Sequence, residues 1–177
     1  SDIAIGTSKL FGFELMSNFK FPYFSRDIGE FWRRWHISLS TWFRDYLYIP
    51  LGGSKGGKWL SIRNIFIIFI VSGFWHGANW TFIMWGLIHA MLYIPLFLKG
   101  KSRQYTTSIV AEGKWSPSLK ELFQMGSTFF FTMIAWVFFR SESVMDGFFY
   151  LLNIIKHIDI PSVHRFGIIF IILIIIL

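Results

Sequence analysis

From Asn64 to Leu98 the chain reads NIFIIFIVSGFWHGANWTFIMWGLIHAMLYIPLFL, 35 residues without an Asp, Glu, Lys or Arg. One membrane-spanning helix takes about 20 residues, so this run suits two spans joined by a tight turn. The pattern predicts a helical hairpin with spans over about 60–77 and about 80–98, and Gly77 and Asn79 suit the turn. His76 sits inside the run. An ionisable side chain at membrane depth is expensive, so it faces protein or a water-filled cavity, and a functional role is the default hypothesis. The competing reading is a histidine that hydrogen-bonds a neighbouring helix, and the spacing does not choose between the two.

The rest of the composition agrees with a membrane setting. The chain is 54% hydrophobic, 21% aromatic and 15% charged, against about a quarter charged in an ordinary soluble domain. Its 22 Phe and 9 Trp exceed what one soluble core of this length packs, whereas lipid-facing surfaces and interfacial belts use aromatics freely. The net charge of +7 fits basic cytoplasmic loops and gives no reason to invoke nucleic acid. Cysteine is absent, which removes disulfides, thiolate catalysis and Cys-based metal sites from this stretch. The sequence opens on Ser1 without an initiator Met and closes on the apolar run Phe166 to Leu177, short of a full span, as a fragment of a longer bundle would. The fold class expected is all-α: a single polytopic membrane domain over 1–177 with interfacial amphipathic helices.

Ahead of the hairpin, residues 1–25 suggest a short helix and then an irregular loop broken at Pro22. A helix is expected from about Ser25, as its N-cap, to Ile49, stopping before Pro50. On its wheel Trp32, Trp35, His36, Leu39, Trp42, Phe43, Tyr46 and Leu47 share one face, with Arg33, Arg34, Arg44 and Asp45 around the rest. That contrast predicts a helix lying in the membrane interface or entering it at a slant. Residues 51–58, with four glycines and two lysines, form a flexible basic turn. Both feet of the hairpin are basic, through Lys55, Lys58 and Arg63 on one side and the 99–121 loop on the other. The positive-inside tendency puts the feet in the cytoplasm and the turn beside His76 toward the outer side. A third span over about 122–139, an interfacial helix from Ser143 to Ile155 and a fourth span over about 161–177 complete the expected order.

The remaining histidines have bland readings beside sharp ones. His36 suits an interfacial aromatic-like residue, His89 a donor in helix packing, and His157, Asp159 and His164 solvated loop residues whose spacing matches no helical metal-ligand pair. Without a carboxylate pair or a serine elbow, a neutral imidazole such as that of His76 can still take a proton from an attacking hydroxyl, which is worth about 100- to 10,000-fold. Acyl transfer from a thioester fits this, because the donor is already activated and the protein supplies a base, positioning and donors for the oxyanion. Trp75, Asn79 and Trp80 lie near enough in sequence to supply N–H groups.

Three blocks, Phe31–Gly53, Gly73–Trp80 and Ala135–Glu142, resemble in order those of the membrane-bound O-acyltransferases. The resemblance extends over most of residues 1–155 and is nearest the bacterial branch containing the membrane subunit of alginate O-acetylation, with teichoic-acid D-alanylation and peptidoglycan O-acetylation proteins nearby. It implies a many-helix bundle around a funnel or tunnel, with His76 as the principal catalytic residue and His36 as a second functional position. It also implies a donor reached from the cytoplasm, an acyl group carried through the protein, and an extracytoplasmic glycan acceptor or a periplasmic acyltransferase partner.

The expected function is O-acyl transfer, with acetyl-CoA or another acyl thioester as donor substrate and no bound cofactor or metal, in a multi-pass protein of the bacterial inner membrane. Arg33, Arg34 and Arg44 are candidate contacts for CoA phosphates or for anionic lipid headgroups, and Trp75 and Asn79 for the reacting groups. Two other classes remain in view. A transporter or export subunit would use the histidines as a proton relay, yet 64–98 and 122–139 contain no carboxylate to share it. A scaffold recruiting a separate acyltransferase would tolerate loss of His76.

Overall fold

A computed structural model describes residues 2–157. Among them the chain forms helices, turns and loops, with no strand. In order these are α1 (Asp2–Leu10), a 3-10 turn (Pro22–Phe24), α2 (Ile28–Arg34), α3 (Ile37–Phe43) running into a π-helical turn (Arg44–Tyr48), α4 (Lys58–His76), α5 (Trp80–Leu98), α6 (Leu119–Arg140) and α7 (Val144–Lys156). Helices α4, α5 and α6 are each long and apolar enough to cross a membrane, and they cover the stretches expected to span. The expected fourth span, together with Asp159 and His164, lies outside the described residues.

The hairpin of α4 and α5 is the centre of the packing. Its two helices approach at paired glycines: a Cβ on Gly73 would overlap the Phe82 carbonyl oxygen, and a Cβ on Gly86 would overlap that of Phe69. Backbone-to-backbone contact of this kind is how helices associate where burial of apolar side chains gives no net drive. The turn is closed by the Gly77 N–H on the Phe74 carbonyl and by Asn79, whose side chain accepts from the Thr81 N–H to cap α5. At the opposite end the buried Asn64 amide donates to the carbonyls of Leu51 and Gly53, both at 3.1 Å, fastening the glycine-rich basic loop onto α4.

Helix α6 starts with a capping box, Ser118 against Glu121, and packs along α5. Helix α7 folds back on α6 through Phe148, edge-on to Phe138 at 5.0 Å. From the other side α2 enters the bundle, burying Ile28, Gly29, Glu30 and Phe31. Phe31 stacks on His89 at 6.1 Å, and Trp32 meets Phe69 at 5.3 Å and Trp85 at 5.7 Å.

The continuous helix expected over 25–49 is not what the chain forms. Asp27, not Ser25, is the N-cap of α2, its side chain accepting from the Glu30 N–H at 2.7 Å. Burial lifts the Asp27 carboxyl above the ordinary aspartate range, against the pull of that hydrogen bond and of the Arg33 charge. Helix α2 ends at Trp35, whose backbone is extended, and His36 takes the left-handed conformation (φ 44°, ψ 57°) before α3 begins. The break changes which residues after it face the bundle, and Phe43 is the one of α3 that is buried. Trp32 and Trp35 pack against Trp85 and Trp136 of the spanning helices, whereas Trp42 and Tyr46, placed on the same stripe by a helical wheel, are exposed beyond the break.

Candidate active site

His76 is the last residue of α4, and three elements supply its surroundings. Trp75 stands at 5.0 Å between ring centroids, Phe82 and Trp85 from the first turns of α5 at 6.2 and 5.3 Å, and Phe139 from the last turn of α6 at 4.9 Å. Trp75, Trp85 and Phe139 meet the imidazole edge-on. The ring is half-buried in this aromatic box and, among the described residues, hydrogen-bonds to no neighbouring helix. The box exists because the glycine contacts draw α4 and α5 together just below it.

His36 arrives from a different part of the chain. Its left-handed backbone turns the imidazole toward Trp75, edge-on at 6.3 Å, with Phe19 on another side at 5.9 Å. Trp75 is therefore in contact with both histidines, and it is exposed. The His36 Nδ1 is buried without a hydrogen-bond partner among the described residues. Two imidazoles 40 positions apart in sequence thus contact one open indole.

The other predicted site residues are placed differently. Arg33 donates to the carbonyls of Ser102 (2.8 Å) and Tyr105 (3.2 Å), and Arg34 pairs with Glu30 at 2.7 Å, so both guanidinium groups are held by protein. Arg44 pairs with Asp45 at 2.7 Å and stays 60% exposed. The Asn79 amide, besides its capping role, donates to the Glu142 carbonyl at 3.3 Å, which ties the hairpin turn to the start of the α6–α7 connection. His89 is fully buried beneath the box, stacked between Phe31 and Phe69, and neither ring nitrogen has a partner among the described residues. The expectation of a packing donor finds no acceptor there. His157 caps the end of α7 and is exposed.

Phe82, Trp85 and Phe139 were not among the residues singled out from the sequence. Trp85 carried a signal, lying nine residues after His76 on the neighbouring helix of a tight hairpin, and Phe139 lies in the third recognisable block. Phe19 carried none, because its approach to His36 depends on the break between α2 and α3.

Residues 1–104 match the family model for MBOAT, the membrane-bound O-acyltransferase family. Over 145 residues, 81% of this chain and 26% of the relative, the sequence is 47% identical to the probable alginate O-acetylase AlgI of Pseudomonas syringae pv. tomato. It is 41% identical to the peptidoglycan O-acetyltransferase of Helicobacter pylori over 143 residues, 81% of this chain and 25% of that protein. Identity to the teichoic acid D-alanyltransferase of Bacillus subtilis is 36% over 123 residues, 65% and 29% of the two chains. The chain spans about a quarter of the length of the curated relatives it matches.

Proposed function

Since this chain belongs to the membrane-bound O-acyltransferase family, we propose that it carries the histidine centre of an enzyme that moves an acyl group from a thioester to hydroxyls of a polysaccharide. The observation that carries the reading is the contact of both His36 and His76 with the exposed Trp75. The donor is acetyl-CoA, reached from the cytoplasmic side of the bacterial inner membrane. The acceptor is an extracytoplasmic glycan, met directly or through a periplasmic acyltransferase partner. The names of the relatives support glycan-directed acyl transfer, with acetyl the group in two of the three named above.

In this scheme the acceptor hydroxyl oxygen attacks the thioester carbonyl carbon while an imidazole nitrogen of His76 takes its proton. The tetrahedral centre then collapses, the carbon–sulfur bond breaks, and the leaving sulfur takes the proton and departs as the thiol. His36 lines the donor side of Trp75. Phe82, Trp85 and Phe139 cover part of the His76 ring and restrict the water that reaches it, which restrains hydrolysis of the donor. Of Arg33, Arg34 and Arg44, Arg44 is the one left exposed, and in this scheme it meets a phosphate of the donor.

The test is acetyl-ester content of the glycan fraction in cells making the intact protein, its His76→Ala variant or its His36→Ala variant at equal membrane abundance. His76→Ala is expected to lower acylation by at least about 100-fold, the smaller end of general-base catalysis. Undiminished acylation in both variants would replace this reading with transport or scaffolding.

A further inference from the structure

We propose that Asn18 is a positioning residue that sets the catalytic geometry of His36; the inference rests on the acyltransferase reading above. A non-glycine residue with φ near +44°, as at His36, is in a region disfavoured for L-residues and persists where its surroundings over-determine it. The His36 side chain does not cap α3, which leaves the first N–H groups of that helix without a local acceptor. Asn18 supplies both. Its carbonyl accepts from the Ile37 N–H at 3.0 Å, and its side-chain oxygen accepts from the Ser38 N–H at 2.9 Å.

The neighbours of Asn18 complete the hold. The Lys20 N–H donates to the Arg34 carbonyl at 2.9 Å, on the other side of the break, and Phe19 lies between, edge-on to Trp35 at 4.9 Å and against His36 at 5.9 Å. Residues 18–20 thus span the kink, bonded to α2 at one end and to α3 at the other. An N-cap delivered from 18 residues upstream fixes where α3 starts, and so fixes the direction of the imidazole that meets Trp75. Asn18 touches none of the reacting groups, and its effect on the reaction passes through His36.

Three variants of the intact protein test this, with transfer of radiolabelled acetyl from acetyl-CoA to alkali-labile esters of the glycan fraction as the readout. Asn18→Ala removes the acceptor for Ser38 and is expected to lower kcat about tenfold, equivalent to about 1.4 kcal/mol, with KM for acetyl-CoA little changed. Asn18→Asp retains an oxygen facing the same N–H and is expected to stay within about threefold of the parent. In a His36→Ala background, Asn18→Ala is expected to cause no further loss, because a residue acting through another has nothing left to position.

Full activity in Asn18→Ala, equal losses in Asn18→Ala and Asn18→Asp, or an undiminished loss in the His36→Ala background would each overturn the inference. These outcomes leave the acyltransferase reading standing if His76→Ala and His36→Ala are themselves impaired. Full activity in His36→Ala overturns the role given to that histidine and this inference with it.

Discussion

At the residue scale, His89 raises the sharper physical question. An imidazole brings at least one donor and one acceptor, and burying either without a partner costs about 1–3 kcal/mol. His89 is fully buried, neither ring nitrogen has a partner among the described residues, and Trp32 and Trp85 stand edge-on at 5.0 and 4.9 Å. Packing alone therefore has no use for its nitrogens. His89→Phe keeps a ring between Phe31 and Phe69 and is expected to hold or raise the thermal unfolding midpoint in detergent. His89→Ala leaves a cavity and is expected to cost about 3 kcal/mol. Equal losses in the two variants would mean that the nitrogens are bonded in the intact protein, by residues beyond those described. From the sequence His89 looked like a donor between helices. Periodicity places a residue on a face and says nothing about whether the facing helix offers an acceptor.

Elements show where sequence patterns suffice and where they fail. The hairpin was legible because a run of 35 uncharged residues admits few solutions in a bilayer, and its turn because Gly77 and Asn79 have local reasons to be there. The family blocks were legible for a related reason, each being contiguous in the chain. The break at Trp35–His36 was hidden, since apolar spacing runs unbroken from Trp32 to Leu47 and the groups that stabilise the kink come from residues 18–20. A helical wheel cannot contain a long-range hydrogen bond. The glycines of the hairpin carry their own prediction. Gly86→Ala and Gly73→Ala drive a methyl group against a backbone carbonyl and are expected to lower both membrane abundance and acyl transfer. Gly126→Ala, in α6 with open space beside it, is the matched control and is expected to cost nothing. Equal behaviour of all three would dismiss the close approach of α4 and α5.

On the scale of the whole molecule, α2 acts as a clamp on the basic loop between α5 and α6. Glu30, 1% exposed, pairs with Arg26 at 3.1 Å and Arg34 at 2.7 Å. Arg26 in turn donates to the Ser108 and Ile109 carbonyls, reaches Glu121 at 3.4 Å and lies over the Tyr105 ring at 3.9 Å. Replacing one member of such a buried network strands the others, at about 3–5 kcal/mol. Glu30→Ala is therefore expected to free the loop, read as faster tryptic cleavage at Lys101, Arg103 and Lys114 in membranes opened on that side. Cleavage at the parental rate would show that the loop is held by something other than this cluster. The clamp joins α2, the helix just before His36, to the connection between two spans, while residues 18–20 hold the break at His36 itself.

The shortness of the hairpin turn also bears on how the protein is made. Three residues, Gly77, Ala78 and Asn79, separate two 19-residue helices, and none is charged, while lysines and an arginine gather at the opposite ends. A nascent chain of this form has no Asp, Glu, Lys or Arg to carry across the bilayer and an electrostatic reason to keep both ends where they were synthesised. The pair is thereby suited to leave the translocon as one unit, paired at its glycines before any third helix arrives. On that route His76 is delivered to its depth by the insertion of its own hairpin, and the chain that bears His36 is folded onto a platform already in place.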